Sequence, residues 1–318
     1  MKIVIPGGTG QVGTVLARRF QKDGHEVVVL SRKPHHAPWR VVEWDAQRLG
    51  NWTTEFEGAD AIINLAGRSV NCRYTDENRR EIMESRVNST RVVGEAIAKA
   101  KEPPRLWLQS STATIYSHRF DAPNDEFSGI IGGNEPDAPA SWRFSIDVAR
   151  SWEEATDEAT TPQTRKVKMR SALILSPDRG GIFDTLLSLV RHGLGGSAAG
   201  GRQYISWVHD EDFIRAIYWL IKMEELEGVV NIAAPNPLPQ SEFMRVLREA
   251  WGIRLGLPAT RLMLAVGALF LRTETELILK SRRVVSTRLQ QSGFTFQFPT
   301  WIDAARDLCQ KWRETNRK

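Results

Sequence analysis

Residues 1–13 have the sequence MKIVIPGGTGQVG, in which a short apolar run leads directly into a glycine-rich turn. The β-branched residues at 2–5 favour a buried strand. A helical segment, residues 14–22, follows the glycines. A strand, a glycine turn and a helix in this order form the context in which a dinucleotide-binding fingerprint is meaningful. We therefore predict a nucleotide-binding unit here, against the alternative of an ordinary tight surface turn.

The three evenly spaced glycines of this turn have separate roles in such a unit. Gly7 permits the tight turn, Gly10 lets the backbone approach a pyrophosphate, and Gly13 lets the helix pack closely on the strand. Backbone N–H groups at the start of the helix, together with the positive end of its dipole, then face the phosphates. The predicted phosphate-binding residues are Gly7, Gly8, Thr9, Gly10, Gln11, Val12 and Gly13.

The composition is that of an ordinary globular protein, with 41% hydrophobic and 25% charged residues among 318. This length accommodates one large or two modest domains with a sizeable core. The net charge of +5 is spread along the chain without a block of like charge. A nucleic-acid partner is therefore not required, and the positive excess suits a phosphorylated cofactor equally well.

Cysteine spacing and apolar segments bear on the cellular compartment. Cys72 and Cys309 are far apart and have no metal-ligand spacing, which fits a reducing cytoplasm and predicts no metal site. The first apolar run is too short for a signal peptide. The longest apolar stretch, residues 262–271, cannot span a bilayer and predicts a buried helix. We expect a cytoplasmic protein without a membrane partner and make no prediction of its oligomeric state.

The residues after the second predicted strand, 26–30, bear on the choice of cofactor. A protein that binds NAD places an acidic residue about twenty residues past the glycines, where it accepts hydrogen bonds from the ribose 2′-OH. Here the position is occupied by Ser31, Arg32 and Lys33. Because a guanidinium group can hold a 2′-phosphate that a carboxylate would repel, this segment favours NADP(H). The alternative is a solvated basic turn.

Strands and helices alternate through the first half of the chain. Further strands are predicted at residues 61–65, 105–110 and 166–175, and a long helix at about 75–101. The alternation predicts an α/β fold: a Rossmann-type doubly wound parallel sheet with a smaller, mainly helical C-terminal substrate part.

A change of texture after residue 176 indicates how the chain divides. We assign residues 1–176 to the NADP(H)-binding domain, with 208–234 returning to it, and residues 177–207 and 235–318 to the smaller part. Helices predicted in the last segment include 259–271 and 276–283.

The segment Ser110-Ser111-Thr112-Ala113-Thr114-Ile115-Tyr116 matches a signature of extended short-chain dehydrogenases/reductases, Ser-Ser-(Ser/Thr)-x-x-(Val/Ile)-Tyr. More narrowly, the chain resembles an atypical branch of that superfamily, the "epimerase family protein" branch. This branch is similar to nucleoside-diphosphate-sugar epimerases and carries a C-terminal helical extension. The matching segments are residues 31–34, 64–67, 84–86 and 193–209, so the resemblance covers nearly the whole chain.

The resemblance implies a set of contacts with NADP(H). Residues 7–13 would bind its phosphates, and Ser31 with Arg32 its 2′-phosphate. The remaining implied cofactor residues are Leu65, Ala66 and Gly67 on the adenosine side, Glu81 and Arg86 of the long helix, Ser110, and Ile174 near the nicotinamide. Taken alone, Glu81 and Arg86 have an alternative interpretation as a solvated helix flank.

The catalytic pair of the superfamily is missing. Its chemistry uses Tyr-x-x-x-Lys on one helix, where the lysine lowers the pKa of a tyrosine that exchanges a proton with substrate. In the expected helix this chain has Phe144 and Val148, which can neither transfer nor tune a proton. The one Tyr-x-x-x-Lys present, Tyr218 to Lys222, lies in a later amphipathic helix, and we exclude it from the site.

Three residues remain as catalytic candidates: Thr112, Tyr116 and His209. Thr112 can orient a carbonyl, Tyr116 has a phenol, and His209 titrates near neutrality. The alternative for His209 is a structural hydrogen-bond donor. Arg202 stands where related epimerases hold a substrate phosphate, which implies an anionic or nucleotide-linked small molecule. Its alternative role is a salt bridge to Asp210 or Asp212.

Two functions are compatible with these residues. The leading hypothesis is an NADP(H)-dependent oxidoreductase or epimerase-like enzyme that transfers a hydride to or from a carbon held near Thr112. The rival is a catalytically inactive NADPH-binding sensor or interaction protein. The intact glycine turn and the 202–209 segment favour the enzyme, and the absent tyrosine and lysine favour the sensor.

Overall fold

The computed structural model describes residues 1–136, 138–260, 263 and 276–316. Its strands are β1 (Lys2–Pro6), β2 (Glu26–Ser31), β3 (Arg40–Glu43), β4 (Ala61–Asn64), β5 (Leu106–Thr112), β6 (Arg165–Ser171), β7 (Leu173–Leu175), β8 (Tyr204–Ile205), β9 (Trp207–His209), β10 (Gly228–Ile232) and β11 (Leu238–Pro239). Its α-helices are α1 (Gln11–Lys22), α2 (Asp76–Lys99), α3 (Ala140–Asp157), α4 (Ile182–Arg191), α5 (Asp210–Lys222), α6 (Gln240–Trp251), α7 (Glu276–Leu279), α8 (Thr287–Gln291) and α9 (Trp301–Thr315). Short 3₁₀ turns lie at Asn51–Phe56 and Ala113–Ile115.

Seven parallel strands form the main sheet in the order β3-β2-β1-β4-β5-β6-β10. From β1 the chain proceeds outward in one direction to β3 and then resumes on the other side at β4. In open α/β sheets this reversal creates a crevice outside the carboxyl ends of the strands, where ligands bind. The structure confirms the predicted doubly wound parallel fold.

Both faces of the sheet are covered, which explains why β1, β2 and β4 are nearly continuous apolar runs. Ile3 and Ile5 face a core shared with α1 and α5, whereas Val4 between them faces the opposite core. That second core contains Trp52 and Val93, contributed by the first 3₁₀ turn and α2. Buried alternate residues on each face fix the register of the strands, because a one-residue slip would exchange the two faces.

The predicted strand at 166–175 is wrong in its continuity. Ala172 interrupts it, and the following residues leave the main sheet as β7, which pairs in parallel with β9. The backbone N–H of Ala172 donates instead to Ile232 of β10, 3.0 Å away. The residues of one predicted strand therefore belong to two sheets.

Two helices are predicted in the C-terminal segment, at residues 276–283 and 259–271. The one at 276–283 ends at Leu279, because Arg282 leaves the helical path and its N–H donates to the carbonyl of Tyr204 at 2.9 Å. The helix predicted at 259–271, with the apolar stretch 262–271, lies almost wholly outside the described residues.

The C-terminal helix α9 packs on a separate apolar cluster. Trp301 is 1% exposed and stacks on Phe243 of α6, with ring centroids 4.1 Å apart. The buried carboxylate of Asp212 accepts the backbone N–H groups of Gln297 and Phe298 at 2.7 and 2.8 Å. These contacts hold the end of the chain against α6 and α5. Whether residues 1–176 with 208–234 act as a domain apart from the remainder stays a prediction.

Across the described ranges, no helix is both long and apolar enough to cross a membrane, and no group of three metal-binding side chains comes together.

Candidate cofactor and active site

The glycine turn after β1 is packed so closely that two of its positions accept only glycine. Gly7 has φ +72°, and a Cβ there would lie 2.5 Å from the Cα of Ala66. A Cβ on Gly13 would lie 2.4 Å from the Cα of Gly8. At Gly10, by contrast, a Cβ would meet no described atom within 4 Å. The turn is therefore pressed against the sheet on one side and open on the other.

The open side has the features of an anion site. Gly10 is the N-cap of α1 and provides no side-chain hydrogen bond, which leaves the first N–H groups of the helix for a ligand. The side-chain Nε2 of Gln11 is buried and has no hydrogen-bond partner among the described residues. Thr9 is exposed beside it, and Val12 packs into the core. An unpaired buried donor at a helix N-terminus fits a phosphate-bearing ligand.

Ser31 and Arg32 lie at the carboxyl end of β2, next to this turn. Ser31 is 5% exposed, and its hydroxyl closes the turn by donating to the carbonyl of Lys33 and accepting its N–H. Arg32 is exposed, and no hydrogen bond or ion pair joins its side chain to the described part of the chain. A free guanidinium group is thus held beside the nucleotide crevice.

Small residues end β4 and make room for a group from α2. Leu65 packs on the core, Ala66 is buried, and Gly67 is exposed. A Cβ on Gly67 would lie 3.2 Å from Cζ of Arg86. The guanidinium of Arg86 therefore lies against the carboxyl end of β4.

Arg86 is held there by several contacts. It donates to the carbonyl oxygens of Arg68 and Ile82 at 3.0 and 3.1 Å and lies over the ring of Trp152 at 5.0 Å. Burial lowers the pKa of Arg86 to about 10, so the group stays charged at neutral pH. Glu81, the other predicted residue of this helix, is exposed and forms an ion pair with Arg68.

The signature segment, residues 110–116, spans the end of β5 and is hydrogen-bonded to α3. Ser110 is half-buried, and the hydroxyl of Ser111 donates to Glu153 at 2.6 Å. Thr112 ends the strand and accepts the N–H of Thr114 at 3.1 Å, which leaves its own hydroxyl proton free to point elsewhere.

Tyr116 is 2% exposed and donates to Asn231 at 3.0 Å, with Arg170 5.0 Å from its ring centroid. Burial raises the pKa of the Tyr116 phenol, which makes it a weaker acid.

Neither residue at the expected Tyr-x-x-x-Lys positions of α3 can transfer a proton. Phe144 packs edge-on against Tyr74, and Val148 is 6% exposed. Tyr218 donates to Asp23 at 2.8 Å, and burial together with that bond raises its pKa. Because Asp23 is the C-cap of α1, Tyr218 lies at the helix end opposite the glycine turn, roughly 18 Å away by helix geometry.

His209 is buried and engaged on both ring nitrogens. In the neutral ring Nδ1 accepts the N–H of Glu211 as the N-cap of α5, and in the protonated ring it donates instead to Asp210, whose Oδ1 is 3.0 Å away. Nε2 lies 2.9 Å from Asp307, and the ring stacks on Phe298 at 3.9 Å. Burial lowers the pKa of His209, but hydrogen bonds to Asp210 and Asp307 outweigh it, and the net shift is upward. In this arrangement His209 is a structural link between α5 and α9.

We expect the stability contributed by His209 to depend on pH. Because its pKa is raised in the folded state, the contribution is complete below about pH 6.5 and is lost as pH rises through the folded value. His209→Asn keeps an N-cap but removes the charge, so its free energy of unfolding should fall less than that of the wild type between pH 6 and 8.5. Urea unfolding at both pH values measures this. Equal losses in the two proteins would contradict the assignment.

The last two predicted residues, Ile174 and Arg202, come from the part of the chain that follows β6. Ile174 of β7 is half-buried and packs on the main core. Arg202 is exposed and pairs with neither predicted carboxylate, since Asp210 contacts His209 and Asp212 pairs with Arg215 at 2.7 Å. Its charge is available to a ligand.

Several groups that sequence reasoning missed come from the C-terminal segment. Arg282 donates to Oγ1 of Thr114 at 3.0 Å, and Lys280 donates to the carbonyl of the same residue at 2.8 Å. Glu276 accepts a hydrogen bond from Ser145 of α3 at 2.6 Å. Burial lowers the pKa of Lys280 to about 8. No local pattern links Lys280 and Arg282 to Thr114, which lies more than 160 positions earlier, or Glu276 to Ser145, which lies 131 positions earlier.

Comparison with known proteins agrees with this geometry. Residues 3–233 match the NAD dependent epimerase/dehydratase family, and residues 261–308 match a domain of unknown function, DUF1731. The human epimerase family protein SDR39U1 is 30% identical over 311 residues, which cover 97% of this chain and 99% of that protein.

Solved structures give the same grouping. The crystal structure of human SDR39U1 (isoform 2) with NADPH has a TM-score of 0.84 at 28% identity and covers 98% of this chain and 99% of that one. A nucleoside-diphosphate sugar epimerase from Corynebacterium glutamicum has a TM-score of 0.72 at 27% identity, covering 97% of this chain and 58% of that one. The Bacillus cereus UDP-N-acetylglucosamine 4-epimerase, at 16% identity and a TM-score of 0.74, shares the fold. The chain therefore belongs to the NAD dependent epimerase/dehydratase family.

Proposed function

We propose that the protein is an NADP(H)-dependent oxidoreductase or epimerase-like enzyme acting on an anionic small molecule. The observation that carries the cofactor choice is the exposed, unpaired Arg32 beside the buried Ser31, where an NAD-binding protein would have a carboxylate. The NADPH in the crystal structure of the human relative supports the same choice.

The residues present fit NADP(H) along the whole crevice. The first N–H groups of α1 and the amide of Gln11 would bind the phosphates, and Arg32 the 2′-phosphate. Arg86, charged and close to Gly67, would contact the cofactor beside the end of β4. When bound, the cofactor supplies or accepts a hydride. The protein's task is then to hold the substrate carbon and to move one proton.

The substrate end of the crevice has its own polar groups. We expect the hydroxyl of Thr112 to hydrogen-bond the reacting oxygen, since its proton is not used within the turn, and Arg202 to offer its charge to a phosphate or carboxylate. The sugar-nucleotide epimerase from C. glutamicum suggests that the anion belongs to a nucleotide-linked sugar.

Titration of NADPH and NADH tests the cofactor assignment. We expect wild type to bind NADPH at least ~10-fold tighter, because charge-assisted hydrogen bonds contribute about 1.5–3 kcal/mol each. Arg32→Ala should remove that preference by weakening NADPH alone. Arg254→Ala, an exposed arginine in the loop after α6, is the matched control and should bind both nucleotides as wild type does. Failure of both nucleotides to bind would refute the function.

A second function is favoured by one observation, the apolar Phe144 and Val148 in α3. On that view the protein binds NADPH and reports the redox state to a partner without turnover. Turnover of candidate carbonyl compounds that is lost in Thr112→Ala supports the enzyme. His209→Ala tests one of the two other catalytic candidates in the same assay. NADPH-dependent capture of a partner without turnover supports the sensor.

A further inference from the structure

A tyrosine from another element lies beside the position where the catalytic tyrosine is missing. Tyr74 precedes α2, in the loop that follows β4. Its ring packs edge-on against Phe144, with centroids 5.1 Å apart and planes at 71°. A tyrosine ring therefore packs against the α3 residue at which the usual tyrosine would stand, and it comes from the loop before α2.

The Tyr74 ring has arginine side chains on neighbouring elements. Arg79 lies 6.0 Å from the Tyr74 ring centroid and 5.0 Å from that of Phe144. Arg86 lies at the end of β4, and Arg282 is bonded to Thr114 after β5. Burial lowers the pKa of both guanidinium groups, and the neighbouring Tyr74 partly opposes that shift.

We propose that Tyr74 is the proton-transfer residue of this site, and that Arg86 and Arg282 together take the place of the missing lysine. The proposal rests on the proposed NADP(H)-dependent function. It also gives the C-terminal segment a role, since Arg282 belongs to the stretch that matches DUF1731.

The chemistry balances with the groups named. When a carbonyl substrate is reduced, its carbon gains a hydride, and the Tyr74 phenol gives its proton to the carbonyl oxygen. The product is an alcohol, and the phenolate left behind takes a proton from water. Arg86 and Arg282 stabilise the phenolate because opposite charges nearby favour the ionised form. Thr112 holds the reacting oxygen during the transfer.

Charged groups of both signs lie on the elements around the phenol. Helix α2 contributes Arg79 and Arg86, together with Asp76 and Glu77 in its first turn, and the C-terminal segment contributes Arg282. Helix α3 contributes the apolar ring of Phe144. Glu276 raises the pKa of Arg282 and lies 3.8 Å from Lys280.

Absorbance titration of the tyrosines tests the proposal without any substrate. The chain has four tyrosines, so the wild-type curve minus that of Tyr74→Phe isolates one phenol. We expect it to ionise at least ~1 pH unit below the ordinary value of about 10. Tyr74→Phe keeps the ring contact with Phe144, which protects the fold. Arg282→Gln should move the transition back toward the ordinary value.

Tyr218→Phe is the matched control for the titration. Its difference curve should ionise above the ordinary range, because burial and Asp23 raise the pKa of Tyr218. An ordinary or raised transition for Tyr74, or one that Arg282→Gln leaves unchanged, would overturn the proposal.

Turnover separates this proposal from the function on which it rests. With NADPH and an aromatic 1,2-diketone as probe, Tyr74→Phe should lose ~100-fold or more of the rate at unchanged NADPH affinity, as expected for a general acid. If wild type does not bind NADPH, the proposed function fails while the titration still reports on Tyr74. If Tyr74→Phe turns over as wild type does, the proton comes from elsewhere.

Discussion

Gly10→Ala is expected to leave the fold intact and to weaken NADPH binding by on the order of 10- to 100-fold, the equivalent of losing one or two charge-assisted hydrogen bonds. Gly10 has φ −74° and ψ 173°, which alanine adopts without strain, and no described atom lies within 4 Å of the added Cβ. The empty space is on the side from which a pyrophosphate would approach the start of α1. The cost to folding should stay below about 1 kcal/mol, the usual difference between glycine and alanine at an N-cap.

Gly13→Ala provides the contrasting variant in the same turn. Its Cβ would lie 2.4 Å from the backbone of Gly8, so α1 must move away from β1 and the protein itself should be destabilised by several kcal/mol. Urea unfolding and NADPH titration of both variants separate the two effects. If Gly10→Ala binds NADPH like wild type, the pyrophosphate does not cross this turn.

The fold was predictable because its signals are local. Strands β1, β2 and β4 of the main sheet are short apolar runs beside a turn or helix, and the constraint on Gly7 comes from a turn that the next few residues define. The exception is instructive. Nothing near Ala172 reveals that residues 173–175 leave the main sheet, because their partner β9 lies more than thirty residues away.

Local signals also explain why the sequence proposes residues for the cofactor side of the candidate site, an assignment that stays a prediction. The glycine turn and residues 31–32 lie within one βα unit, whereas Tyr74, Thr114 and Arg282 meet only through tertiary packing. The same holds for His209, whose partner Asp307 is 98 positions away. Its titratable ring favoured a catalytic hypothesis, and burial against Phe298 was invisible in the sequence.

Arg170→Ala should cause the largest loss of stability, about 3–5 kcal/mol, because it leaves a buried carboxylate unpaired. Arg170 and Glu153 form a two-bond ion pair at 2.8 and 2.7 Å, with side chains 11% and 9% exposed. Ser111 donates to the same carboxylate, and Arg170 also lies over Tyr116. The pair thus supports the signature segment from both ends.

Two comparisons make this expectation specific to the buried charge. Lys99→Ala breaks an exposed ion pair with Glu95 in α2 and should cost no more than about 1 kcal/mol. The double variant Arg170→Met with Glu153→Leu removes both charges and should be more stable than Arg170→Ala alone. Urea unfolding of the wild type and these variants measures the differences.

A loss in Arg170→Ala no larger than that in Lys99→Ala would mean that water reaches Glu153 and that the pair is not a support of the site. If the large loss is found, the same variant links stability to function. Ser111 and Tyr116 flank Thr112, so the disturbed signature should reduce the turnover of a carbonyl probe more than it reduces NADPH affinity, because the glycine turn and Arg32 lie at strands β1 and β2 and do not touch the pair.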